Sequence, residues 1–206
     1  AKLLEPKSQV AVVAPNYSLS SIIWDYMANF VRQLGLETEK FSTKDRVIIF
    51  KNGSVFRLLS VANRETLVGR GYHLVIVDEA AIIDDDEYFT RDIRPTLATY
   101  SDTRCLFIST PRGKHNYLHN YFQRGQPEKG NEFPDWGSGI FPWYTNPRLN
   151  KSDIDEARKS MTKTLFNQEY MCDWTSFENM IYSVPEESQR TNVMEDISKR
   201  KLEFIA

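Results

Sequence analysis

The sequence predicts an α/β domain of three layers, a mostly parallel central sheet between helices, with a small helical subdomain toward the C-terminal side. Three observations predict it. Apolar runs at 9–14, 73–77 and 104–109 each end in turn-forming or polar residues, helical periodicity follows the first of them, and Asn52-Gly53 separates two β-rich stretches. Strands covered by helices on both faces read as unbroken apolar runs, and strands alternating with helices imply a parallel sheet.

The chain of 206 residues is long enough for one domain with an appendage. At 41% hydrophobic and 26% charged it has the composition of a folded globular protein. Net charge is −2, so no overall basic field drives nucleic-acid binding, and any DNA contact must be local or shared among subunits. Cys105 and Cys172 lack CxxC spacing, and neither a signal peptide nor an apolar run of spanning length occurs. These features make a reduced, intracellular protein with no membrane contact the expectation.

Taken in order, Gln9-Val-Ala-Val-Val-Ala14 is a buried strand closed by Pro15. A helix should follow, capped by Ser18 or Ser20, with Ile22, Ile23, Tyr26, Met27, Phe30 and Leu34 at helical spacing until Gly35. Residues 46–50 and 54–60 flank Lys51-Asn52-Gly53, a strong hairpin signal because Asn and Gly tolerate positive φ. Residues 73–77 form a second buried strand ending in Asp78-Glu79. Asp84 to Asp86 should cap a helix from Glu87 to Leu97, with Pro95 disturbing its last turn, and residues 104–109 make a third buried strand. A loop is expected over 123–139 and a short aromatic strand over 139–144. Helical pattern in two pieces runs from Ser152, as cap, to Asp173, with Asp155-Glu156 in the first turn. Residues 183–201 read as a charged connector, and Leu202–Ile205 as the start of another strand.

In such folds ligands bind at the carboxyl ends of the parallel strands, which is where the acidic pair and the Ser109-Thr110-Pro111 turn fall. Four apolar β-formers running into Asp78-Glu79 suit the hydrolytic site of a P-loop ATPase. There the first carboxylate orients Mg²⁺ and the second polarises the water that attacks the γ-phosphate. A solvated acidic turn explains the same residues less economically. Hydroxyls at Ser109 and Thr110 can sense phosphate, and the Pro-Gly turn after them can pass that state on, although Ser-Thr-Pro-x-Gly is also an ordinary turn. Arg70, between Gly69 and Gly71, is unshielded enough to reach a neighbouring subunit's phosphates; Arg64 is the other candidate, and a solvated loop arginine accounts for either.

No GxxxxGK[ST] loop occurs, and Arg112-Gly113-Lys114-His115 is a decoy without the first glycine or the final hydroxyl. His115 and His119 have i, i+4 spacing but no third ligand, so surface helix residues describe them better than zinc ligands.

The order of these motifs resembles the large terminase subunits of tailed bacteriophages and related viruses. Val12 to Tyr17 resembles the strand and turn after that family's phosphate-loop helix, Val75 to Ala81 its Walker B segment, and Ser109-Thr110-Pro111 its coupling motif. Phe141-Pro142-Trp143, Asn146-Pro147 and Phe166 to Tyr170 resemble its later landmarks.

The resemblance implies a RecA-like P-loop ATPase that uses ATP and Mg²⁺ to drive double-stranded DNA into a capsid. The expected setting is a homo-oligomeric ring on the portal protein, with a small terminase subunit, in the host cytoplasm. Carried over, Asp78 holds Mg²⁺, Glu79 is the catalytic carboxylate, Ser109 and Thr110 bind at the nucleotide and couple hydrolysis to movement, and Arg70 is the trans-acting arginine. The implied organisation is an ATPase domain over 1–145 without its Walker A segment, a helical lid over 146–182, and a connector over 183–206 toward a nuclease domain not in this chain. Ala1 to Leu4 would end the Walker A helix, and the chain alone should bind ATP weakly and cut no DNA. Lys114, Arg124 and Lys129 are candidates for facing the DNA channel, and solvated basic loops explain them equally well. Two rival readings are a helicase of the Asp-Glu-Ala class and a binding module without catalysis.

Overall fold

The computed structural model describes residues 2–83 and 85–174. Its elements are β1 (Gln9–Ala14), α1 (Tyr17–Gln33), β2 (Thr38–Ser42), β3 (Val47–Phe50), β4 (Val55–Ser60), β5 (Leu74–Asp78), α2 (Arg94–Leu97), β6 (Arg104–Ile108), α3 (Tyr117–Arg124), α4 (Lys151–Ser160) and α5 (Lys163–Met171). One six-stranded sheet has the order β2-β3-β4-β1-β5-β6. β4, β1, β5 and β6 run parallel, while β3 is antiparallel to both β2 and β4. The three-layer α/β architecture stands.

Each face of the sheet carries its own core. On one side Val10, Val12, Ile48, Phe50, Phe56 and Leu58 meet Trp24 and Val31 of α1. On the other, Ala11, Val13, Val75 and Val77 pack with Leu67, Tyr72, Tyr88, Ile93 and Leu118. Alternate residues of a strand point to opposite faces, so β1, paired on both edges, feeds both cores. β6 differs: it pairs only with β5 among the described residues, and its Leu106 and Ile108 are each 48% exposed.

The hairpin forms as expected. Gly53 takes φ +80, Asn52 Oδ1 accepts from the Ser54 N–H at 2.9 Å, and the Phe50 N–H donates to the Ser54 carbonyl at 2.9 Å. β2 was not expected; its sequence Thr-Glu-Lys-Phe-Ser carries the charges suited to an edge.

Several local expectations are corrected. α1 is capped by Asn16, whose Oδ1 accepts from the Leu19 N–H at 3.0 Å, and not by Ser18 or Ser20. It buries Trp24, Ala28 and Val31, whereas Ile22, Tyr26, Phe30 and Leu34 are more than half exposed. The expected helix over 87–97 is a π-helical turn, Phe89–Ile93, followed by α2. Pro95 sits in the first turn of α2, where its missing N–H costs little.

Residues 139–144 form no strand; Trp143–Thr145 is a 3-10 turn. Asn150, not Ser152, caps α4, and the acid in its first turn is Asp153 rather than Asp155 or Glu156. Lys2–Leu4 is a 3-10 turn. The expected connector and the strand near Leu202 lie outside the described residues.

Candidate functional site

β1, β4, β5 and β6 all end at the same edge of the sheet, and the tips of β5 and β6 lie side by side because Asp78 is the Cα partner of Ile108. Ser109 is therefore adjacent to the acidic pair. Immediately after Asp78 the chain turns sharply: Glu79 adopts the left-handed conformation, φ 49 and ψ 42, and leads into the 3-10 turn Ala80–Ile82. A non-glycine residue held there stores strain of order 1 kcal/mol, a feature that clusters at functional sites.

The turn is held by side chains from the following segment. Ser109 Oγ accepts from the Ala81 N–H at 3.1 Å and donates to the Thr110 carbonyl at 3.0 Å. Asn116 Nδ2 donates to the Ala81 carbonyl at 2.9 Å, and the Tyr117 hydroxyl donates to the Ala80 carbonyl at 2.6 Å. Asn116 also caps α3, its Oδ1 accepting from the Leu118 N–H at 3.0 Å. Ala80 and Ala81 are buried, so small side chains are what this close packing admits.

The carboxyl of Glu79 is pushed above its ordinary range, first by burial and then by the charge of Asp78, with Glu169 of α5 adding to the effect. The cation of Arg112 and the hydroxyl of Ser109 oppose that rise. A half-buried carboxylate with raised proton affinity, beside a second acid and an exposed arginine, is equipped to polarise a water molecule next to a bound anion.

Asp78, Glu79, Ser109 and Thr110 are thus brought together. Arg70 is not; it precedes β5 at the amino end of the sheet, while Asp78 closes the carboxyl end. Arg64 falls in the 3-10 stretch Val61–Thr66, before Arg70 in the chain.

Arg112, Asn116, Tyr117 and Glu169 were missed as site residues. Arg112 was visible only as part of a failed phosphate-loop motif, and nothing in sequence spacing brings Glu169 to Glu79. His115 precedes α3, so the two histidines do not share a helix face, and among the described residues no group of three His, Cys, Asp or Glu side chains could hold a metal. Arg124 faces rings instead of an open groove: its guanidinium lies 4.9 Å from Tyr121, 5.2 Å from Phe133 and 5.1 Å from Trp136.

Residues 1–189 match the N-terminal part of the T4likevirus-type terminase large subunit. The terminase large subunit of Escherichia phage T5 is 42% identical over 182 residues, which are 88% of this chain and 40% of that protein. The probable terminase ATPase subunit of Haemophilus phage HP1 is 26% identical over 179 residues, covering 76% of this chain and 29% of that protein. The chain therefore spans well under half the length of these relatives.

Among solved structures, a mutant large terminase ATPase domain of Thermus phage P74-26 superposes with a TM-score of 0.67 at 24% identity, covering 84% of this chain and 79% of that one. The large terminase of a thermophilic bacteriophage in complex with ADP gives a TM-score of 0.66 at 13% identity, over 85% and 42% of the two chains. These likenesses show the fold, and the helicase reading gains no support from any of these matches.

Proposed function

The chain belongs to the T4likevirus-type terminase large subunit family, as its N-terminal part, and from that premise we propose that it is most of the ATPase motor that drives double-stranded DNA into a capsid. The observation that carries the reading is the shared tip of β5 and β6, where Asp78 is in register with Ile108 and Ser109 bonds to the turn that follows Glu79.

Asp78 would hold Mg²⁺ through its carboxylate. Such an ion takes one or two protein carboxylates and completes its shell with water and phosphate oxygens, so one tip carboxylate suffices. When bound, the ion neutralises charge on the transferring phosphate. Glu79 orients and polarises the attacking water, and Ser109, hydrogen-bonded to Ala81, reports the state of the phosphate to the chain after β6.

The edge of β6 that has no partner among the described residues supports the same reading. A further parallel strand, leading into a phosphate-binding loop and its helix, would pair with β6 and cover Leu106 and Ile108. The longer protein would work as a ring on the portal protein in the host cytoplasm, with the small terminase subunit as partner. With a net charge of −2, DNA contacts would come from local patches shared around that ring.

The test is Glu79→Gln in the longer protein. ATP hydrolysis should fall by roughly 10²–10⁴-fold, the contribution of a positioned general base, with nucleotide still bound. An unchanged rate would overturn the motor reading and leave a module that binds without catalysis.

A further inference from the structure

Arg112-Gly113-Lys114-His115, which imitates a phosphate loop without its full set of residues, lies in the segment that runs from the tip of β6 to α3. Both ends of that segment are tied to one residue of the β5 tip. Ser109 Oγ accepts from the Ala81 N–H at 3.1 Å, and Asn116 Nδ2 donates to the Ala81 carbonyl at 2.9 Å. Residues 110–115 therefore form a bow whose two feet stand on the turn that follows Glu79.

The bow is shaped to hold out a cation. Pro111 and Gly113 are buried, and Arg112 between them is exposed. Gly113 takes φ +73, a conformation that favours glycine, and its carbonyl accepts from the Asn116 N–H at 3.4 Å, so the bow closes on itself before α3 begins. Among the described residues the Arg112 guanidinium enters no ion pair and no hydrogen bond.

Its neighbour two residues on serves a different place. The charge of Lys114 adds to the effect of burial in lowering the proton affinity of His119 on α3. The charge of Arg112 acts instead at Glu79, against the rise that burial and Asp78 impose there. One cation of the bow attends the helix and the other attends the strand tip.

Exposure by itself assigns an arginine no task beyond solvation; the tether does. Asp78 and Glu79 set two carboxyls at the tip, and an anion arriving beside them needs donors to offset their repulsion. Whichever phosphate is hydrolysed must lie within one water molecule of Glu79. A guanidinium whose loop is bonded to the same turn therefore neighbours that phosphate, and not the two that stay with the nucleoside. Its planar fork offers paired donors to two phosphate oxygens, which a lysine's point charge does not.

We propose that Arg112 binds the terminal phosphate of the nucleotide held at this chain's own β5 tip, and so distinguishes a nucleoside triphosphate from the diphosphate that hydrolysis leaves. This rests on the ATPase reading of that tip and deepens it. Because both feet of the bow stand on Ala81, the arginine and the acidic pair belong to one chain and need no second copy to meet.

The test is calorimetric binding of ATPγS and of ADP, with Mg²⁺ present, to the longer protein diluted below the concentration at which it assembles. Arg112→Ala should weaken ATPγS by about 10–100-fold, the scale of hydrogen bonds to a charged group, and leave ADP at the parent affinity. Arg112→Lys, which keeps the charge without the fork, should fall between Ala and the parent. Since the side chain is exposed, the thermal midpoint of both variants should match the parent's.

Equal weakening of both nucleotides, or of neither, overturns the assignment, and so does weaker binding accompanied by a lower thermal midpoint. A loss of ATPγS affinity seen only after assembly would put Arg112 at a neighbouring copy's phosphate and overturn it as well. Glu79→Gln separates this proposal from the one it rests on. If Glu79→Gln is slow while Arg112→Ala binds both nucleotides as the parent does, the phosphate contact fails and the motor reading stands. If Glu79→Gln turns over ATP at the parent rate while Arg112→Ala loses ATPγS alone, the contact stands and the catalytic carboxylate falls.

Discussion

β1 and β6 read alike as sequence, short apolar runs closed by a turn, and sit differently in the sheet. β1 is paired on both edges and buried on both faces, whereas β6 has one partner among the described residues and leaves Leu106 and Ile108 half open. The difference teaches that an apolar run specifies a strand that wants two covered faces, while the coverage it receives depends on which elements reach it. α1 covers β1 and β4, and the same face of β6 has no helix over it among the described residues.

The sharpest way to break this contrast is a charge in each strand. Val13→Asp places an unpaired carboxylate where the parent residue is 0% exposed. It should cost about 4–5 kcal/mol or more, enough to unfold a domain of ordinary stability, as denaturant titration would show.

Leu106→Asp should cost under about 1 kcal/mol in this chain, as an exposed substitution does, and about 3 kcal/mol in the longer protein if a further strand and helix cover it there. Equal small costs in both would refute the assignment of β6 as a docking edge.

A smaller effect sharpens the picture at the tip of β5, the strand between the two. The Glu79 carboxyl is raised by burial and by Asp78, so the folded chain binds its proton more tightly than the unfolded chain does. Stability should therefore decline as pH rises from Glu79's unfolded value, about 4.5, through its folded one, and remain lower above that. Glu79→Gln removes this loss. Its thermal midpoint at neutral pH should equal or exceed the parent's, by less than about 1 kcal/mol after solvent screening, and the gap should close as pH falls through that window. A lower midpoint for the variant at neutral pH would show that the carboxylate stabilises the fold.

The same contrast explains what was legible in the sequence. β1, the β3–β4 hairpin, β5 and β6 could be read because apolar runs and Asn52-Gly53 are local signals. The placement of Asp78, Glu79 and Ser109 at strand tips could be read because strand ends are local signals too. β2 could not, since an edge strand of Thr-Glu-Lys-Phe-Ser is selected for solubility rather than burial. The buried face of α1 was misread because apolar residues surround the helix and only the sheet decides that Trp24, not Tyr26, turns inward. Asn16 and Asn150 take the cap positions expected of serines, and Thr162 caps α5, for which no cap was expected, a choice made by backbone position. Arg112 and Glu169 acquire meaning only through Glu79, distant from both in the chain.

The clasp on the β5 tip also has a mechanical meaning. Asn116 and Tyr117 grip the carbonyls of Ala81 and Ala80 while standing at the first turn of α3, so tip and helix are keyed together like a crank on its shaft. On the motor reading proposed above, a displacement of Ser109 on loss of phosphate would swing that helix about its clasped end. With a rise of about 1.5 Å per residue, such a swing would reach Arg124 about 10 Å away, where the rings of Phe133 and Trp136 lie against the guanidinium and would move with it.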